Sequence, residues 1–94
     1  MDLCRIDKLH WTDRNKLGGL AVFLIADEEL SAEFNFYLQG EDCLSVRLGR
    51  HDKNLRTFDL ENYLKEHQLA IRKNIKPDIV RLRQERKRMM SGEE

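Results

Sequence analysis

The stretch TFDLENYLKEHQLAIRKNIKPDIVRLRQERKRMM, residues 57–90, decides how the rest of this chain is read. Within it Leu60, Leu64, Ile71, Ile75, Leu82 and Met89 recur at steps of four or seven, a spacing that keeps them on one side of a helix. Lys65, Arg72, Lys76, Arg83 and Lys87 advance by seven, four, seven and four and fall on the opposite side. The spacing predicts a long amphipathic helix with one apolar and one basic stripe. Thr57 or Asp59 is placed to cap it, and Glu61 sits in its first turn, where the helix dipole favours a carboxylate.

Pro77 interrupts the pattern. In mid-helix a proline removes one hydrogen bond and clashes with the carbonyl four residues back, here that of Lys73, at a cost of about 3 kcal/mol. A break at Asn74 would let Pro77 open a second helix. Against that, the apolar stripe keeps its phase through Ile71, Ile75, Ile79 and Leu82, which a sharp turn would give no reason to preserve. The expected element is a kinked, nearly continuous helix. Such a helix spans about 50 Å, whereas a 94-residue globule has a radius of gyration near 12–13 Å. Its end is therefore expected to overhang with Ile79, Val80, Leu82 and Met89, and Ile75, Ile79, Leu82 and Met89 are expected to meet a partner. With a break at Asn74, the second segment would instead fold back and complete the core.

Upstream the chain reads as strands. In residues 32–38, Ala32, Phe34, Phe36 and Leu38 alternate with Glu33, Asn35 and Tyr37; in residues 43–48, Leu44, Val46 and Leu48 alternate with Cys43, Ser45 and Arg47. The intervening Gln39-Gly40-Glu41-Asp42 is turn-like, so the two runs form a hairpin. Residues 20–26 are apolar throughout, which suits a central strand, with the Gly18-Gly19 pair ahead of it supplying backbone freedom. Residues 3–11 read as a half-buried or edge strand of mixed polarity. The fold expected is α+β, a four-stranded antiparallel meander covered on one face by the C-terminal helix. Residues 1–90 form a single domain and residues 91–94 a disordered tail.

The formal net charge is zero, yet the charges are segregated. Residues 27–42 carry six carboxylates and no cation, while residues 72–88 are rich in Lys and Arg. Either the acidic hairpin packs near the basic helix, or each pole meets a partner of opposite sign. The N-terminus lacks the pattern of a signal peptide, and no apolar run approaches membrane-spanning length. A cytoplasmic location with Cys4 and Cys43 reduced is the expectation.

Chemistry-bearing motifs are absent from the sequence. His10, His51, His67 and the two cysteines lack zinc-type spacing. Ser31, Ser45 and Ser91 have no nucleophile-elbow context, and Gly18-Gly19 is not a phosphate loop. No metal, cofactor, membrane or small-molecule substrate is expected. A thiol enzyme built on Cys43 and His51 is the remotest reading. The favoured function is a non-enzymatic interaction or regulatory module, an adaptor or inhibitor, acting through its basic amphipathic helix on a protein partner and self-associating as a homodimer. The alternative is a nucleic-acid-binding accessory protein using the same basic face: Lys65, Arg72, Lys73, Lys76, Arg81, Arg83, Arg86, Lys87 and Arg88.

Overall fold

The computed structural model describes residues 1–91, with side chains through residue 89. Four strands, β1 (Asp2–Asp13), β2 (Lys16–Ile25), β3 (Glu28–Gln39) and β4 (Asp42–His51), form one antiparallel sheet in the order β1-β2-β3-β4. A single helix, α1 (Thr57–Ser91), covers one face of it. The architecture is the expected α+β meander. Ser91, assigned from sequence to a loose tail, is the last residue of α1; residues 92–94 lie outside the described residues.

The strands are longer than their apolar runs imply. Gly18 and Gly19, read as a lead-in, lie buried inside β2. A Cβ at Gly19 would sit 3.0 Å from both Ile6 Cγ2 and Leu9 Cδ2, so β1 side chains fill the space a β2 side chain would need. Glu28 and Glu29 begin β3. The turn itself is Ala26-Asp27, with φ of 50° and 63°. Two consecutive left-handed residues are the signature of a tight primed hairpin turn.

The inner face follows from the register. Leu17 opposes Phe36, Gly19 opposes Phe34, Ala21 opposes Ala32, and Phe23 opposes Leu30. Phe36 and Val46 continue the row into β4. There the predicted alternation breaks: Tyr37 pairs with Ser45 but Leu38 with Cys43, so Leu44 is an extra residue in a bulge. Cys43 is consequently buried on the inner face, and Leu44 is exposed. β2 is buried on its inner face at Leu17, Ala21 and Phe23, and on its outer face at Val22, while Leu24 stays exposed.

α1 runs unbroken through Pro77. Thr57 is its first residue rather than its cap, and the Thr57 hydroxyl is bonded to His51 Nε2 at 2.8 Å. Leu60, Leu64, Ile71, Ile75 and Ile79 are buried against the sheet. The expectation that a continuous helix must overhang at Ile79 and offer Ile75 to a partner is therefore corrected: Ile75 is 2% and Ile79 0% exposed within one chain. The reason is the shape of the sheet. Strands of 12 residues reach about 40 Å, and the molecule measures 50 × 22 × 18 Å with a radius of gyration of 14.3 Å. A long helix lies along a long sheet. Leu82 is half-buried, and the overhang begins only near Met89, which is 77% exposed.

α1 lies closest to β4, an outer strand of the sheet. Gln68 Oε1 accepts the Val46 N–H at 2.6 Å, and Gln68 Nε2 donates to the Val46 carbonyl at 3.3 Å. The amide side chain thereby pairs with β4 as a neighbouring strand's peptide would, and blunts an edge that is otherwise a template for another chain. Gln68→Leu should cost about 1–2 kcal/mol by leaving both Val46 groups unpaired. Urea unfolding gives the loss, and faster hydrogen exchange at the Val46 amide localises it.

Candidate interaction surfaces

The basic stripe is where sequence reasoning located function, and three of its nine residues, Arg72, Arg83 and Arg86, reach the chain's own backbone. Arg72 Nε donates to the Cys43 carbonyl at 2.7 Å. Arg83 donates from Nε to the Gly40 carbonyl and from Nη2 to Asn15 Oδ1 at 3.1 Å. Arg86 Nη1 donates to the Arg14 carbonyl at 3.0 Å. Both Arg83 and Arg86 also lie over the Trp11 ring, 5.2 and 4.6 Å from its centroid. Arg83 and Arg86 thus clasp the β1–β2 and β3–β4 turns, and Arg72 holds the start of β4.

Carboxylates take up a further share. Lys76 Nζ is 3.1 Å from Asp42, and Arg81 pairs with Asp78 and Glu85 at 3.2 and 3.5 Å. The Lys76–Asp42 pair is the one place where the acidic hairpin meets the basic helix among the described ion pairs. All these pairs are exposed, so each contributes little. Lys65, Lys73 and Arg88 point to solvent, as does Lys87, which has its own contacts.

Of the four apolar positions assigned to a partner, Ile75 and Ile79 belong to the core, Leu82 is half-buried, and Met89 is open. Sequence reasoning missed two further exposed apolar residues of the helix. Phe58 is 74% and Leu69 66% exposed. They lie eleven positions apart, three helical turns, and so share a side. Val80, another eleven on, continues the row and is half-exposed. An eleven-residue search along the polar face was the available signal.

The uncovered face of the sheet carries a different set of side chains. Arg5 spans β2 to reach Glu29, donating from Nη1 and Nη2 at 3.2 and 3.1 Å, and also bonds Asp7 at 2.8 Å. Its guanidinium pulls the Glu29 carboxyl below the usual range through those hydrogen bonds first and its charge second. Lower on the same face Lys16 and Arg47 approach the Tyr37 ring at 5.3 and 5.9 Å. Beside them is a hollow of about 370 Å³ over Gly18, lined by His10, Thr12, Glu33 and Asn35.

The cysteines are both free, Cys4 exposed at one end of the sheet and Cys43 buried at the other. Burial pushes the Cys43 thiol up, against the opposing pull of the Arg72 charge and of a backbone hydrogen bond with Ser45. A raised thiol stays protonated and unreactive. Its contribution to stability is full below the unfolded thiol's value and is lost as pH rises through the higher folded one. A disulfide-exchange reagent should modify one thiol, Cys4, in the native chain, and both in denaturant. Rapid reaction of two thiols under native conditions would show that Cys43 is not sealed.

Among the described residues no three His, Cys, Asp or Glu side chains gather as a metal site, no polar or charged side chain is buried, and no helix is long and apolar enough to cross a membrane. No protein-family model, curated protein or solved structure matches this chain.

Proposed function

We propose that this chain is a non-enzymatic interaction module that self-associates through the solvent-facing side of α1. The observation that carries the reading is the pair Phe58 and Leu69, large apolar side chains left open on one side of the helix while the sheet-facing stripe is hidden. Lys65, Glu66 and Lys73 border this row. Apolar anchors within a charged rim are the common composition of a protein-docking surface, the rim setting register and association rate.

The nucleic-acid reading of the basic helix face is the weaker one. Arg72, Arg83 and Arg86 already satisfy backbone carbonyls, and pulling them toward phosphates would leave those carbonyls unpaired. Light scattering across a range of protein concentrations, at low and high salt, tests the reading. The expected result is a salt-resistant rise in mass that disappears in the Phe58→Glu/Leu69→Glu variant while helical circular dichroism is unchanged. A monomer at every concentration, or a dimer indifferent to that variant, overturns it.

A further inference from the structure

We propose that the uncovered face of the sheet, at the end bearing the β1–β2 and β3–β4 turns, binds a short run of single-stranded nucleic acid. The sheet has one helix on one face, so its other face is open. Three adjacent strands present a row across it: Lys16 on β2, Tyr37 on β3 directly opposite Lys16, and Arg47 on β4 opposite the neighbouring Asn35. The two cations flank a phenol ring at 5.3 and 5.9 Å. A strand of nucleic acid offers the complement of that row, anionic phosphates outside and a flat base between them.

The pairing of charges on this face leaves Lys16 and Arg47 open to an anion. Arg5 pairs with both Glu29 and Asp7, one cation against two carboxylates, and Glu33 Oε1, at the edge of the hollow, accepts the Arg50 N–H at 3.2 Å. Neither Lys16 nor Arg47 forms an ion pair with a carboxylate among the described residues. Their contacts with Tyr37 are cation–π contacts made by a half-buried Lys16 and an exposed Arg47, and a base stacked on the ring would take their place. Swinging either side chain outward to a phosphate frees a ring face at small cost.

The hollow next to this row supplies polar edges. Gly18, His10 and Thr12 line it together, the His10 ring and Thr12 standing 3.1 to 3.3 Å from where a Cβ on Gly18 would be. His10 Nδ1 lies 2.8 Å from the Lys8 carbonyl, which only accepts, so the ring donates from Nδ1 and leaves Nε2 as an acceptor over the hollow. The Asn35 amide adds both a donor and an acceptor. A volume of about 370 Å³ is at the small end of ligand-sized cavities, roughly 300–1,000 Å³. A base splayed off a single strand fits that chemistry, whereas bases stacked within a duplex have no free face for Tyr37.

Fluorescence anisotropy with a labelled oligothymidine, a duplex of matched length and polyglutamate tests this. The expected result is saturable binding of the single strand, weakening as salt rises, and tighter than binding to the duplex or to polyglutamate. Lys16→Gln/Arg47→Gln should raise the dissociation constant roughly tenfold through lost phosphate contacts. Tyr37→Leu should weaken binding severalfold, and Tyr37→Phe should restore it, since stacking needs the ring and not the hydroxyl. Trp11 fluorescence and circular dichroism verify that each variant is folded. Absence of binding at low salt, equal binding to duplex or polyglutamate, or insensitivity to both the charge pair and Tyr37 overturns the proposal.

Discussion

Ile79→Ala should destabilise the fold by about 2–5 kcal/mol, the range for truncating a buried isoleucine with incomplete collapse of the cavity. Domains of this length hold about 5–14 kcal/mol in total, so the loss is a large part of what keeps the chain folded. The position matters because Ile79 lies after Pro77, in the segment that sequence reasoning placed over empty space. It is fully buried. Met89→Ala, ten positions on along the same helix, should stay within about 0.5 kcal/mol, as for an exposed side chain without special contacts. Urea unfolding of the two variants makes the comparison. Similar small effects at both positions would mean that the helix after the proline is not docked in solution.

Pro77→Ala should act in the opposite direction, adding about 1–3 kcal/mol, because it restores the N–H that the Lys73 carbonyl lacks and replaces the worst helix former with the best. Pro77 is exposed, so no packing is lost with the ring. The helix survives the proline because burial outweighs it. Covering an isoleucine side chain stabilises by about 1.5–3 kcal/mol, and Ile75 and Ile79 straddle the proline, with Leu82 and the Arg83 and Arg86 clasp beyond. Each kcal/mol raises the melting temperature of so small a domain by about 4–8 °C, within easy reach of calorimetry. A lower melting temperature for Pro77→Ala would show that the proline sets a bend the docked segment requires.

Much of the architecture was legible. The alternation of Phe34, Phe36 and Leu38 and the unbroken phase of Ile71, Ile75, Ile79 and Leu82 are direct consequences of periods two and 3.6, and both elements are present. Strand length was not, because Gly18, Gly19, Glu28 and Glu29 pair through the backbone and their side chains say nothing about it. Underestimating the sheet created the apparent overhang. The inward turn of Cys43 was hidden for a related reason: a bulge at Leu44 reverses side-chain parity without any marker in the residues themselves. Arg72, Arg83 and Arg86 were identified as part of a stripe, but their bonds to the chain's own carbonyls were not foreseen. A guanidinium aimed at a phosphate and one aimed at its own chain's turn carbonyl have the same spacing in sequence, and only the register of the two hairpin turns against α1 tells them apart.

The meander's inner face, with Phe23, Phe34 and Phe36 at its centre, has one lid, and that lid is encoded after all four strands. During synthesis the strands leave the ribosome first, and their greasy side remains bare until residues 57–79 have followed. Nascent chains of this protein therefore pass through an interval of sticky, half-built sheet, in which crowded neighbours or a holding chaperone compete with α1 for the same surface.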